Sequence, residues 1–367
     1  MNRLFRFALA ALCLAGCMAA QARADQPKLF NVRLETRSAP EGLEAAYHSF
    51  LAAQAEPGWL AYSVPAIAGH HPICCDGGWS NDAEESCGRC ALESEGGSSH
   101  TVRGGASGIE HLEGPQEMAI FFRVADHRLT KVRVLSPGCE VDAGGLRVLW
   151  LNDVKPAESV AVLAGLVAPG FREEGESGHV AHAALAAIAM HADAAADRAL
   201  DSLVAPQQPE KLREQAAFWL GSARGAAGLR ALERMAKSDP SSHVRQQVAF
   251  AYSVSREPGA VDDLICMEHE DESEHVRGQA LFWLAHNAGQ RAAQAITDVI
   301  QNDTDTALKR SAVFALTQLP QDEGVPLLIQ VARTNKNPEV RKLAFFWLGQ
   351  SKDPRALAFF EEVLSTR

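Results

Sequence analysis

The second half of the chain repeats one pattern of apolar and polar positions without insertions. Aliphatic anchors stand 32 positions apart at Val180, Leu212, Val244, Val276, Leu308 and Val340. Four positions past each anchor comes Ala184, Ala216, Val248, Ala280, Ala312 or Ala344, and eight past it Ile188, Leu220, Tyr252, Leu284, Leu316 or Leu348. Offsets of zero, four and eight share one face of an α-helix. A second apolar set follows in each later unit: Leu229 and Leu232, Val261 and Leu264, Ala293 and Ile296, Val325 and Leu328, Leu357 and Phe360. These predict a second helix, entered in the last unit through Asp353-Pro354, an N-cap residue followed by proline in the first turn. Gly221 and Gly349 stand where the first helix is expected to stop. So short a helix pair cannot bury both its faces alone, so the units must stack into a solenoid.

The first half reads differently. Alternation from Leu29 to Thr36 predicts a strand, and Glu41 to Ala53 a helix with Leu43, Ala46, Tyr47, Phe50 and Leu51 on one side. Trp59 to Ile67 is apolar and β-rich and is expected to pair with the strands that follow. Glu117 to Val124 and Leu129 to Leu135 predict a hairpin around Asp126-His127, with Met118, Ile120, Phe122 and Val124 facing Val132 and Val134. A short strand, Leu146 to Leu151, and a helix, Pro156 to Val167, complete this half. The predicted fold is an α+β N-terminal domain with an antiparallel sheet over 27–155, a capping helix and linker over 156–177, and an all-α solenoid of six two-helix repeats over 178–367.

Residues 1–24 read as an export signal rather than as fold. Arg3 and Arg6 precede an apolar run, Phe7 to Ala20, that is short for a membrane span, and Ala22-Arg23-Ala24 offers a small-x-small cleavage site. Leu14-Ala15-Gly16-Cys17 also resembles a bacterial lipobox, in which Cys17 would carry lipid. A soluble periplasmic or secreted chain starting near Asp25 is the preferred reading, a membrane-anchored lipoprotein the alternative. Loss of Arg3, Arg6 and Arg23 would take the net charge from -11 to -14. Such an acidic chain lacks the concentrated positive surface that nucleic acid requires.

The mature chain would keep six cysteines: Cys74, Cys75, Cys87, Cys90, Cys139 and Cys266. An even number in an exported protein points first to disulfides, with Cys74 and Cys75 reaching Cys87, Cys90 or Cys139 to staple the polar segment 68–116. The alternative is chemistry: Cys74, Cys75, Cys87 and Cys90 as four thiolates on a metal, with His70, His71, His100 and His111 nearby, or a redox pair in Cys87-Gly88-Arg89-Cys90. Cys266 occupies an offset that is polar in other units, so it is expected on the solvent side, as a free thiol or as a clip to the first domain. No cofactor is expected.

The string Val340-Arg341-Lys342-Leu343-Ala344-Phe345-Phe346-Trp347-Leu348-Gly349 resembles HEAT repeats of the phycobilisome-lyase type, over about residues 178–364. That resemblance implies a solenoid and, most often, a protein-binding scaffold. Deoxyhypusine hydroxylase is similar as a fold, but its di-iron centre depends on His-Glu dipeptides in several repeats, and this chain has one, His269-Glu270. Nothing in the residues identifies the bilin-bearing partner of the lyases.

Three further features lie within the repeats. Seven past the anchor stand Ala187, Trp219, Ala251, Trp283, Ala315 and Trp347, a small-large alternation expected to interdigitate between units. Six past it stand Phe218, Phe250, Phe282, Phe314 and Phe346, at a position usually polar in the family. They form either core between stacked first helices or an exposed binding stripe. Immediately after the anchor runs a basic ladder, Arg213, Arg245, Arg277, Lys309 and Arg341, expected to pair with turn carboxylates Asp239, Asp271, Asp303 and Asp305. His179, His243 and His275 fall at solvent-facing helix starts. The residues thus point to a non-enzymatic scaffold with an envelope protein as partner; a metal or thiol-disulfide protein using the Cys74–Cys90 loop is the alternative.

Overall fold

The computed structural model describes residues 26–67, 89–93, 117–137, 140–171, 176–287 and 289–365. The export signal with Cys17, the cysteines Cys74, Cys75, Cys87 and Cys139, and the four histidines near them lie outside the described residues. In chain order the head comprises β1 (Lys28–Phe30), β2 (Arg33–Ser38), α1 (Leu43–Ala53), β3 (Gly58–Pro65), β4 (Arg89–Ala91), β5 (Glu117–Ala125), β6 (Arg128–Leu135), β7 (Glu140–Asp142), β8 (Arg147–Asn152) and α2 (Pro156–Gly170). The strand expected from Leu29 to Thr36 is two strands, broken at Asn31, whose φ of 49° turns the chain.

The main sheet has the order β2-β8-β3-β5-β6. Its β3–β5 and β5–β6 pairs are antiparallel as expected, and the hairpin turns through Asp126 and His127, both at positive φ, the two-residue geometry that matches strand twist. The remainder departs from the antiparallel expectation: β8 lies between β2 and β3 and runs parallel to both. Strand, helix, strand is a crossover connection, so β2-α1-β3 brings its two strands into one direction, and β8 fills the gap between them.

Both faces of this sheet are covered, which is why β3 is buried without a break from Gly58 to Val64. One face (Leu60, Tyr62, Ile120, Phe122, Leu149) packs on α1 and α2. The other (Trp59, Ala61, Phe121, Val148, Trp150) packs under the residues of a small parallel sheet, β1-β7-β4, that contributes Cys90 and Val141.

Twelve helices follow as six pairs: α3 (Glu176–Met190) with α4 (Ala194–Leu203), α5 (Glu210–Ala223) with α6 (Gly225–Ser238), α7 (Ser242–Val254) with α8 (Ala260–Glu270), α9 (Glu274–Asn287) with α10 (Gly289–Asn302), α11 (Thr306–Leu316) with α12 (Gln321–Thr334), and α13 (Pro338–Gln350) with α14 (Pro354–Ser365). The anchors and their offset partners are buried throughout, Val244, Val276, Leu308 and Val340 completely. Asp353 caps α14 as expected, accepting from the Arg355 amide at 2.8 Å.

Gly221 and Gly349 do not end their helices; α5 and α13 run through them. Gly221 serves packing instead, because a Cβ there would stand 2.2 Å from the Ala251 carbonyl oxygen. That absence lets α5 and α7 approach backbone to backbone. Helix α2 lies against α3 and α4, and one apolar core continues from the main sheet through α2 into the solenoid. Among the described residues no helix is long and apolar enough to cross a membrane.

Candidate functional site

The aromatic positions form a strip along the first-helix layer. Phe218 stacks on Phe250 at 6.0 Å between ring centroids and 15° between planes, and Phe282 on Phe314 at 6.3 Å and 8°. The tryptophans bridge these pairs: Trp283 leans back on Phe250 at 4.8 Å and on its neighbour Phe282 at 4.9 Å, and Trp347 on Phe314 at 5.4 Å and Phe346 at 5.1 Å. Ala251 and Ala315 are fully buried beside the bridging rings. The 64-residue alternation seen in the sequence is therefore a packing device, with each large ring occupying room that the preceding alanine leaves.

The strip is neither pure core nor free surface. Phe218, Phe250 and Phe282 are half-buried, while Phe314 is 37% and Phe346 53% exposed. Gln215, Gln247 and Gln279 line one edge as an exposed row, and His286 lies over Phe282 with ring centroids 4.4 Å apart. Such a surface offers flat apolar faces flanked by amide donors and acceptors.

The basic ladder is committed inside the molecule. Arg213 makes a two-pronged contact to Asp239, at 2.8 and 3.0 Å with both side chains buried, and Arg245 does the same to Asp271 at 2.7 and 3.1 Å. Asp239 and Asp271 also accept from the Ser241 and Ser273 amides, which ties each pair to the turn opening the next unit. Arg277 reaches Asp303 and Asp305 only at 3.5 Å, and Arg341 turns to the Asn335 and Lys336 carbonyls. His179, His243 and His275 are exposed, as expected.

Two polar sites escaped the sequence reading. Where the head meets the solenoid, Tyr62 Oη, Ser159 Oγ and His191 Nε2 form a buried chain with links of 2.8 and 2.9 Å, and His191 Nδ1 lies 2.7 Å from the Ala187 carbonyl. With a neutral ring every link is satisfied: Tyr62 donates to Ser159, Ser159 to Nε2, and Nδ1–H to Ala187. Burial pushes the ring's pKa down to about 4; the Ala187 bond opposes this, the Arg224 guanidinium adds to it and Asp193 opposes it. Backbone bonds from Ile67 to Met190 and from Ala192 to Pro65 sew the same seam. Scattered over 130 positions, these residues carry no local motif. With Ser159 and His191 both 0% exposed, the dyad is a structural pin rather than a nucleophile.

The second is Glu268, 1% exposed, with neither carboxylate oxygen hydrogen-bonded. It stands 24 past its anchor, where other units carry Val204, Ala236, Ile300, Ala332 and Leu364. That break in the repeat was its available sequence signal. Burial pushes its carboxyl up to about 7; His269, 3.3 Å away, pulls down, Asp303 pushes up and Arg277 pulls down.

Of the cysteines, Cys90 is buried in β4 at 3% exposure, and Cys266 is an exposed free thiol, as its offset implied. Among the described residues no group of three or more His, Cys, Asp or Glu side chains is placed to hold a metal ion.

The family model described as HEAT repeats matches residues 293–367. Residues 293–367 are HEAT repeats. The helix pairs preceding residue 293 continue the same register as an α-solenoid, and the N-terminal domain is unassigned. Among solved structures, human deoxyhypusine hydroxylase in complex with glycerol is similar at 16% identity over 56% of this chain and 90% of that one, with a TM-score of 0.26. No curated protein matches the chain.

Proposed function

We propose that this HEAT-repeat protein is a non-enzymatic protein-binding scaffold of the bacterial cell envelope, and that the strip Phe218, Phe250, Phe282, Phe314 and Phe346 is where it takes hold of its partner. The strip is the observation that carries the reading. Large rings at one position of five successive units, spaced by stacking and still open to solvent, present a repeated apolar surface that a monomeric fold has no need to leave uncovered. The basic ladder, by contrast, is occupied within the molecule and leaves no continuous groove for an acidic ligand.

The location rests on the sequence of residues 1–24, with a soluble periplasmic or secreted chain preferred over one anchored through Cys17. Disulfides stapling the head through Cys74, Cys75, Cys87, Cys90 and Cys139 belong to the same proposal. What supports them is Cys90, which is buried in the apolar cluster that includes Leu92, Val141 and Trp59. Metal or thiol-disulfide chemistry by the Cys74–Cys90 loop is the reading that a free-thiol count and metal analysis of the exported protein would favour instead.

The test is retention of envelope proteins on immobilised full-length chain, compared with Phe282→Ser/Phe314→Ser. A specific band kept by the wild type and lost with the double variant, at unchanged far-UV circular dichroism, is the expected result. Equal retention by both overturns the strip as the binding face, and collapse of the helical signal shows that the rings are core.

A further inference from the structure

We infer that the cleft between α10 and α12, where the fourth and fifth units meet, is a binding site for an organic carboxylate. The ladder pairs point to it. At one and 27 positions past the anchor, unit two pairs Arg213 with Asp239 at 2.8 Å, unit three Arg245 with Asp271 at 2.7 Å, and unit four Arg277 with Asp303 at 3.5 Å. In unit five the same two positions hold Lys309 and Asn335. The cation is kept, and an amide stands where its carboxylate would be. Both ends of that amide are engaged elsewhere: Asn335 Nδ2 donates to the Ile300 carbonyl at 3.0 Å, and Oδ1 accepts from the Asn337 amide at 2.9 Å. Half-buried Lys309 reaches only the Gln301 carbonyl, at 3.4 Å, and among the described residues it has no carboxylate partner. An ammonium has three donors, so most of its bonding capacity remains for a ligand.

Lys309 borders a cavity of about 350 Å³. Ile300, Leu327 and Val331 supply apolar lining, Lys336 a second cation, and Thr297, Gln330 and Thr334 hydroxyl and amide groups. No acidic side chain lines it, although the chain as a whole carries a formal charge of -11. The corresponding cleft between the first and second units, about 370 Å³, is lined differently. There Asp201 pairs with Arg234 at 2.6 Å, and Asp239 holds Arg213. Thr297 and Gln330 occupy the repeat positions of Asp201 and Arg234, and Lys336 that of Pro240. One cleft neutralises its charges internally; the other has two cations and no acid. A recess lined by one sign of charge concentrates the opposite ion.

The class of ligand follows from the lining and from the neighbouring units. Asp239 and Asp271 show that this place in the repeat accepts a carboxylate against the ladder cation. Apolar side chains beside two ammonium groups suit a short aliphatic chain ending in carboxylates. Small-ligand sites run from about 300 to about 1,000 Å³, and this cavity lies at the lower end, the size for a small dicarboxylate or one or two acidic side chains of a peptide.

The experiment titrates the full chain with glutarate, its neutral diamide, inorganic phosphate and the blocked peptide acetyl-Gly-Glu-Glu-Gly-amide, followed by calorimetry and ligand-observed NMR. The expected result is a single glutarate site that the diamide does not fill, weakened at least about tenfold by Lys309→Gln/Lys336→Gln through loss of charge-assisted bonds. Neither lysine is ion-paired among the described residues, so this variant should keep the wild-type melting temperature. Asn335→Asp, which returns the carboxylate of the other units to Lys309, should weaken glutarate by a similar factor. Displacement of glutarate by the peptide would assign the carboxylate to a protein partner, and glutarate binding without it to a small molecule. Absence of glutarate binding up to about 10 mM overturns the proposal. So does binding that survives the double substitution, or phosphate bound as tightly as glutarate. The phenylalanine strip lies on the first helices and this cleft between second helices, so the two tests are independent.

Discussion

Replacing Glu268 by glutamine is expected to stabilise the protein at alkaline pH and to leave it nearly unchanged in acid. In the fold the carboxyl is 1% exposed, unbonded at both oxygens and pushed up to about 7, against an ordinary value of 4.5. A raised value means that the native state still holds the proton where the unfolded chain has released it. Stability associated with that proton is complete below pH 4.5, drains away as the pH rises towards 7, and is gone above it. At about 1.4 kcal/mol per pH unit, the interval corresponds to about 3 kcal/mol. Glutamine does not titrate, so the stability of Glu268→Gln relative to wild type should climb by about 3 kcal/mol across this window and then level off. Groups unaffected by the substitution cancel in the difference. The assay is urea unfolding of both proteins, followed by tryptophan fluorescence, at steps between pH 5 and pH 8.5. A difference that stays flat with pH, or one that falls as the pH rises, would refute the idea that a carboxylate without a hydrogen bond is being forced into the core. Glu268→Leu, which restores the apolar character of that repeat position, should follow the same curve from a higher starting point.

The seam between head and solenoid should respond in the opposite sense. His191, held at about 4 against 6.5, stays neutral while the unfolded chain takes up a proton, so about 3 kcal/mol of stability is present above pH 6.5 and lost by pH 4, and His191→Gln should flatten that acid limb in the same urea series. Asp239→Ala should cost about 3–5 kcal/mol by leaving Arg213 buried without its carboxylate, and adding Arg213→Met should recover part of the loss in a double-mutant cycle; strict additivity of the two would show that the pair is not coupled.

Much of the solenoid was legible because its contacts are local and repeated. The 32-residue spacing of Val180 to Val340 located six helix pairs, since offsets of zero, four and eight share one face of a helix and the intervening apolar residues at offsets such as seven do not follow a strand's alternation. The same register exposed the Trp-Ala alternation, Cys266 on the solvent side and the pairing of Arg213, Arg245 and Arg277 with turn aspartates, whereas Lys309 and Arg341 bond backbone carbonyls instead. Asp126-His127 marked the hairpin, and the cap at Asp353 marked the start of α14.

Other features depended on long-range approach, for which one sequence holds no record. The parallel insertion of β8 between β2 and β3 joins segments about a hundred positions apart, and hydrophobic alternation is the same whichever way a strand's neighbour runs. Gly221 read as a stop signal because local rules treat glycine as a helix breaker; only the closeness of Ala251 shows that it is there to let two backbones meet. Whether the phenylalanine ladder was core or surface turned on how far the first helices stand apart, and the rings prove to be shared between the two environments. The Tyr62-Ser159-His191 chain is the extreme case, since a hydrogen bond needs a few ångströms of proximity and says nothing about separation along the chain. The sequence alone determined the repeat, its register and its burial pattern through periodicity. The tertiary structure decided which polar groups met inside and which apolar face was left open.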